Sequence, residues 1–243
     1  MSKFSKLLAK YKEGPSVSVC APVKPEVTVH HDKGVIFEAL SRIWRNRQKK
    51  QCVASTHPHE EPSCLGILVL IVDSLPHEHI WRLWLEEAGD AYQSRVRFFI
   101  HAKFPSRVSS SWVRGHLVDY TFSPAWASLE LTKAMVSLLY TAYTEESPVK
   151  CSKFCFASES CIPIIPLADA IELVNLEDSK SWIKFTHKAN NGYAEMGQFR
   201  ALKKNIPDKC VVKSDQWTLL SRTHVADILC LPQLLVSELL AVS

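Results

Sequence analysis

The chain has 243 residues, 47% of them apolar and 22% charged, with a formal net charge of +4. That is the composition of a soluble globular domain, too weakly basic to indicate nucleic acid by charge alone. Its longest apolar run, residues 65–72, falls far short of the roughly 20 residues a membrane-spanning helix needs, so no bilayer span is expected.

Residues 1–63 are polar and punctuated by Pro15, Pro22, Pro25, Pro58 and Pro62. Lys3, Lys6, Lys10 and Lys12 surround Phe4, Leu7 and Leu8 without the continuous apolar core of a secretory signal. Ile36, Leu40 and Ile43 recur at helical spacing. The region is read as a loosely ordered N-terminal arm bearing one short helix over 35–44. Arg42, Arg45, Arg47, Lys49 and Lys50 crowd the end of that helix, and such a run is read as a solvated helix end or linker, with no nucleic-acid partner.

From residue 64 to 243 the pattern is that of an α/β domain. Residues 65–72 form a continuous Leu/Ile/Val run, as expected of a strand covered on both faces in a parallel sheet. Asp73-Ser-Leu-Pro76 ends it, and 77–88 follows as a helix with Ile80, Leu83 and Trp84 on one side. Residues 96–101 are a second strand, and 118–122 a weaker third. The longest helical signal begins after Ser123-Pro-Ala-Trp126. It is apolar on two sides, through Leu129, Val136, Leu139 and Tyr143 and through Leu131, Met135, Leu138 and Ala142, as in a helix sandwiched within a core.

Phe154-Cys-Phe156 then runs into Ser158, Glu159 and Ser160 before Pro163 stops the ladder. A strand with small polar residues at its carboxyl end has the form of a ligand-site floor in an α/β sheet, though an ordinary polar turn has the same composition. A helix over 167–176, a turn at 190–192, strand segments at 211–212 and 217–221, and a helix over 223–230 capped by Thr223 complete the order. The fold expected is α/β with a mostly parallel, Rossmann-like central sheet.

Other constellations carry less. Cys52, His57, His59 and Cys64 have zinc-type donors but no finger spacing. His77 and His79 point to different sides of a helix, and Glu78 suits its N-terminal dipole. Cys161 or Ser160 with His187 or His224 has no nucleophile motif behind it, and with seven glycines no phosphate loop is present. The eight cysteines fit one or two bridges in an oxidising compartment, or small buried residues in a reducing one.

Five segments in order resemble the core-2/I-branching β-1,6-N-acetylglucosaminyltransferase family, including its plant branch. They are Ile67-Leu-Val-Leu-Ile-Val-Asp-Ser-Leu-Pro76, Phe98-Phe-Ile-His-Ala102, Trp126-Ala-Ser-Leu129, Phe156-Ala-Ser-Glu-Ser-Cys-Ile-Pro163 and Lys213-Ser-Asp-Gln-Trp-Thr-Leu-Leu-Ser-Arg222. The resemblance runs over residues 65–230 and implies a GT-A-like fold. The implied activity is an inverting, metal-independent transfer of a sugar, N-acetylglucosamine in the family, from a UDP-sugar to a glycan hydroxyl. Such a reaction needs a carboxylate to take the acceptor proton and cations to steady the diphosphate. No metal and no cofactor are expected, and the chain has no Asp-x-Asp.

The resemblance assigns the donor to Asp73, His101, Ser158 and Glu159, with Glu159 either bonding the sugar or capping its own turn. It assigns the acceptor to Tyr193, Glu195, Arg200, Ser214 and Trp217, beside Gln216. Trp217 is read as a flat face for a sugar ring or as a buried core residue. It also implies Golgi membranes, although the family's N-terminal span has no counterpart here. Two departures stand out. Lys103 replaces a frequent acid, and no Pro-Asp-Glu motif supplies the base, Glu238 lying in an amphipathic tail. The chain is therefore expected to be C-terminally shortened, its alternative role being to bind a nucleotide sugar or glycan without turnover.

Overall fold

The computed structural model describes residues 64–125, 128–176, 179–184 and 215–230, all within one compact unit, His57–Ser243. The expected arm and its helix, the turn at 190–192 and the segment at 211–212 lie outside the described residues.

β1 (Cys64–Ile71) is buried at every position but Leu70, which explains its unbroken apolar sequence. β2 (Val96–Ala102) and β3 (Cys151–Ser158) flank it, both parallel to it, and β4 (Leu219–Ser221) runs antiparallel to β3. The order is β2-β1-β3-β4, a mixed α/β arrangement with a mostly parallel sheet.

The helices are α1 (Glu78–Glu86), α2 (Asp90–Gln93), α3 (Ser111–Arg114), α4 (Leu129–Thr144), α5 (Leu167–Leu176) and α6 (Arg222–Leu229). Register puts Leu68 opposite both Phe99 and Phe156, so the three share a face. That face packs against Leu138, Leu139 and Ala142 of α4 and Val225 and Leu229 of α6. Each large side chain buried there contributes about 1.5–3 kcal/mol. Phe98 points the other way, edge-on to Trp81 of α1 at 5.5 Å between ring centroids. The two-sided apolar pattern of α4 follows from its position: Ala134, Leu138 and Ala142 are buried and Met135, Val136, Tyr140 and Tyr143 half-buried against the same core.

Three expectations need correction. The segment 118–122 is not a strand. The chain makes one isolated bridge just before it, Ile100 to Leu117, and then leaves the sheet, and the His101 ring rather than a neighbouring strand takes the Phe122 N–H. In α1 the third buried residue is Trp81, not Leu83. The cap of α6 is Ser221, whose Oγ accepts from His224 N at 3.3 Å, so the helix starts before Thr223. Ser221 ends β4 in an extended conformation and is fully buried, which leaves its hydroxyl aimed at the first helical turn.

Arg222, which closes the last of the five motif segments, has a structural task. Its guanidinium donates to Cys151 O at 3.1 Å and Tyr143 O at 3.0 Å and lies 4.1 Å from the Tyr143 ring centroid. It thereby ties the carboxyl end of α4 to the start of β3 and caps a carbonyl that α4 leaves free.

Candidate ligand-binding site

The chain lays down β2 on one side of β1 and then crosses to lay down β3 on the other. The strand order reverses at β1/β3, and in sheets of this kind ligands occupy the crevice beyond the carboxyl ends at that point. The chain just after β1, which carries Asp73, meets the turn that carries Ser158 and Glu159 there, through Val72 N to Glu159 Oε2.

The turn that carries Ser158 and Glu159 is built by its own side chains. Cys161 N donates to Ser158 O at 3.0 Å, Ser158 N to Cys161 Sγ at 3.3 Å, and the Ser158 and Ser160 hydroxyls are 2.9 Å apart. Two indoles on one side of α1 hold the segment beyond it: Trp81 Nε1 donates to Cys161 O at 3.1 Å and Trp84 Nε1 to Ile165 O at 2.8 Å. Cys161 is thus part of the turn's own bonding. His224 is held at the opposite end of β3, where its Nδ1 meets Ser181 Oγ at 2.6 Å and Ser221 Oγ at 3.1 Å.

Glu159 reaches the end of β1 with its carboxylate rather than capping its own turn. Its N–H donates to Leu70 O at 3.0 Å, and its Oε2 accepts from Val72 N at 2.8 Å. The carboxylate therefore closes the end of β1, where the ladder would otherwise leave a donor free. Asp73, the next residue, is half-buried in the bend after β1.

The ends of β1 and β2 are joined by Lys103 N to Ile71 O at 3.0 Å and Phe104 N to Val72 O at 2.9 Å. Lys103 and Arg107 then flank the Phe104 ring, at 5.4 and 4.4 Å from its centroid. Two cations accordingly gather where β2 ends, one of them at the position where an acid was the commoner expectation.

His101 lies inside the fold, 1% exposed. Its Nε2 accepts from Phe122 N at 2.8 Å and its ring stacks on Phe122, with 6.0 Å between centroids. Accepting at Nε2 leaves the ring proton on Nδ1. Burial holds its pKa down at about 4, so the ring is neutral at physiological pH. It pins the segment after residue 118 and presents no free face to solvent.

A shallow groove of about 580 Å³ lies beside β3 and β4, lined by Cys155, Ser181, Trp182, Lys184, Trp217 and Thr218 among others. Trp217 and Trp182 are 44% and 42% exposed, so Trp217 is a surface residue and not a core one. Trp182 pairs with Leu219 through Trp182 N to Leu219 O at 2.7 Å and Leu219 N to Trp182 O at 3.0 Å. Phe156 N donates to Thr218 O at 3.1 Å, which carries the pairing toward the carboxyl end of β3. Gln216 reaches back to Met135 Sδ at 3.6 Å. Burial pushes the Cys155 thiol up to about 11, which keeps it protonated and a weak nucleophile.

Sequence reasoning missed Ser181, Trp182 and Lys184, and also Arg107. An indole beside a single apolar residue between polar neighbours was the available signal for Trp182. Tyr193, Glu195, Arg200 and Ser214 lie outside the described residues, as do Cys52, His57, His59, His187 and Glu238. Among the described residues no group of three or more His, Cys, Asp or Glu could hold a metal ion, and no helix is long and apolar enough to cross a membrane. No protein-family model matches the chain, and no curated protein matches it.

Proposed function

We propose that this domain binds a nucleotide-linked sugar in the β1/β3 crevice and transfers the sugar to a glycan hydroxyl, as an inverting glycosyltransferase of the core-2/I-branching type working without a metal. The observation that carries the reading is the bond between Val72, next to Asp73, and Glu159, next to Ser158, which joins the ends of β1 and β3 where the strand order reverses. Lys103 and Arg107 at the end of β2 support it, since a diphosphate needs cations nearby and both sit on one ring at the sheet's carboxyl edge. The Trp182–Trp217 groove supports a glycan acceptor: exposed indoles offer flat apolar faces, and Ser181 and Lys184 offer polar edges. UDP-N-acetylglucosamine is the donor to try first, and the secretory pathway the compartment implied.

A second reading has its own support. The Glu159 carboxylate is engaged by Val72 N, and His101 is enclosed and bonded to Phe122 N. Two of the four donor residues thus serve the scaffold, which favours a relative that holds a nucleotide sugar or glycan without turnover. Calorimetric titration of the full chain with UDP-N-acetylglucosamine, UDP and N-acetylglucosamine, followed by donor-hydrolysis and transfer assays with EDTA present, separates the two. Saturable binding with EDTA-resistant release of UDP supports the transferase. Binding without release supports the non-catalytic relative, and no binding to any of the three removes both.

A further inference from the structure

Cys64 and Cys151 are the first residues of β1 and β3 and face each other across the parallel ladder. Their sulfurs are 3.5 Å apart, and both residues are buried, at 0% and 1% exposure. The register shifts between Cys64 and Leu65, which sets this pair off from the regular ladder, and a bridge needs the two sulfurs to close from contact to about 2.05 Å. We propose that Cys64 and Cys151 form a dithiol–disulfide couple, closing to a cross-strand disulfide when the chain meets a low-molecular-weight disulfide such as oxidised glutathione. This is independent of any sugar chemistry, since the pair sits at the opposite end of the strands from Asp73 and Glu159.

Arg97 of β2 lies close enough to act on Cys64 and is itself paired with Glu145 at 2.5 Å. Either sulfur can donate in the contact between them, and the guanidinium favours the thiolate at Cys64. One of the two, Cys64 for instance, attacks first as the thiolate. Its sulfur bonds to one sulfur of the small disulfide and expels the other half as a thiolate, which takes up a proton. Cys151, giving up its proton, then attacks Cys64 Sγ in the mixed disulfide and expels the second half. Two protein thiols and one small disulfide become one protein disulfide and two small thiols, so electrons and protons balance. With both sulfurs enclosed, exchange takes place while the strand starts are open, during folding or local fraying.

Cys155, Cys161 and Cys230 are differently placed. Cys161 Sγ bonds within its own turn, and Cys155 lies on β3 four residues from Cys151.

The test uses the full chain, reduced and then equilibrated in glutathione buffers of graded ratio, alkylated and digested without reductant. A peptide joining Cys64 to Cys151, with two fewer titratable thiols and a Tm higher by about 5–10 °C, is the expected result. Cys64→Ser and Cys151→Ser should each abolish the Tm difference between the oxidised and reduced forms. Independent alkylation of both cysteines throughout the series, or a bridge from either to another cysteine, overturns the proposal. The mapping on the native chain decides even if a variant fails to fold.

Discussion

Glu159 Oε2 accepts a hydrogen bond from Val72 N at 2.8 Å, joining residues 87 positions apart. The bond fastens the turn after β3 to the first residue beyond β1, at the reversal of strand order. A carboxylate accepting a backbone N–H makes a stronger bond than a neutral acceptor does, but this one is solvent-accessible and its net worth is modest.

Glu159→Ala should lower stability by about 1 kcal/mol and weaken UDP-N-acetylglucosamine binding as the join between the strand ends loosens. Glu159→Gln keeps an acceptor for Val72 N and should recover most of the stability. Urea melts and titration calorimetry on both variants check this. Equal binding by wild type and Glu159→Ala would remove Glu159 from the donor site.

His101 gives the fold an acid sensitivity of known sign. Burial depresses its pKa to about 4 in the folded state, against about 6.5 in an unfolded chain. As pH falls through 6.5 the unfolded chain gains a proton that the folded one does not. Stability from this group is therefore complete above about pH 6.5, declines down to about pH 4 and is flat below, a change on the order of 3 kcal/mol. His101→Gln, whose amide oxygen can still accept from Phe122 N, should lose that part of the slope. Urea midpoints for both proteins from pH 4 to 7 measure it, and parallel profiles would contradict the enclosed, neutral ring.

The elements legible in the sequence were those whose pattern has one physical cause. β1 and α5 could be read almost to the residue, because an eight-residue run of Cys, Leu, Gly, Ile and Val has no polar face to expose and a proline precedes α5. The 118–122 segment was misread because its apolar alternation is the same whether its N–H groups meet a strand or an imidazole. Ser221 was passed over as a cap because it also ends a strand, and Thr223 was the nearer match to the pattern. At the site, Asp73, Ser158 and Glu159 were legible as polar residues at strand ends. The Glu159–Val72 bond and the Trp182 pairing were not, since both depend on which strands become neighbours.

Trp217 and Trp182 stand more than two-fifths exposed beside the β3–β4 groove. Replacing either with alanine removes the buried half of an indole, so stability should fall by about 1–3 kcal/mol. If the groove holds a glycan, each change should weaken acceptor binding about tenfold, equivalent to 1.4 kcal/mol, and should shift the tryptophan emission that saturating oligosaccharide produces. Unaltered acceptor affinity in Trp182→Ala together with Trp217→Ala would exclude the groove as the acceptor site.

Gly66 tests the β1–β3 seam on which both the crevice and the cysteine couple depend. A Cβ at this position would lie 3.3 Å from Phe154 Cδ1, 3.4 Å from Cys151 Sγ and 3.5 Å from Lys153 O. Alanine needs a few tenths of an ångström from a buried phenyl ring, and relief of the glycine's unfolded-state entropy, about 0.5–1 kcal/mol, offsets much of that strain. Gly66→Ala should be close to neutral. Valine adds two methyl groups against a ring and a sulfur that have nowhere to retreat, and Gly66→Val should cost about 2–3 kcal/mol. It should also displace Cys151, so that the glutathione-driven rise in Tm shrinks in parallel. Equilibrium melts of the two variants, reduced and oxidised, read both effects, and a Gly66→Val protein as stable as wild type would mean the two strands do not meet as closely as described.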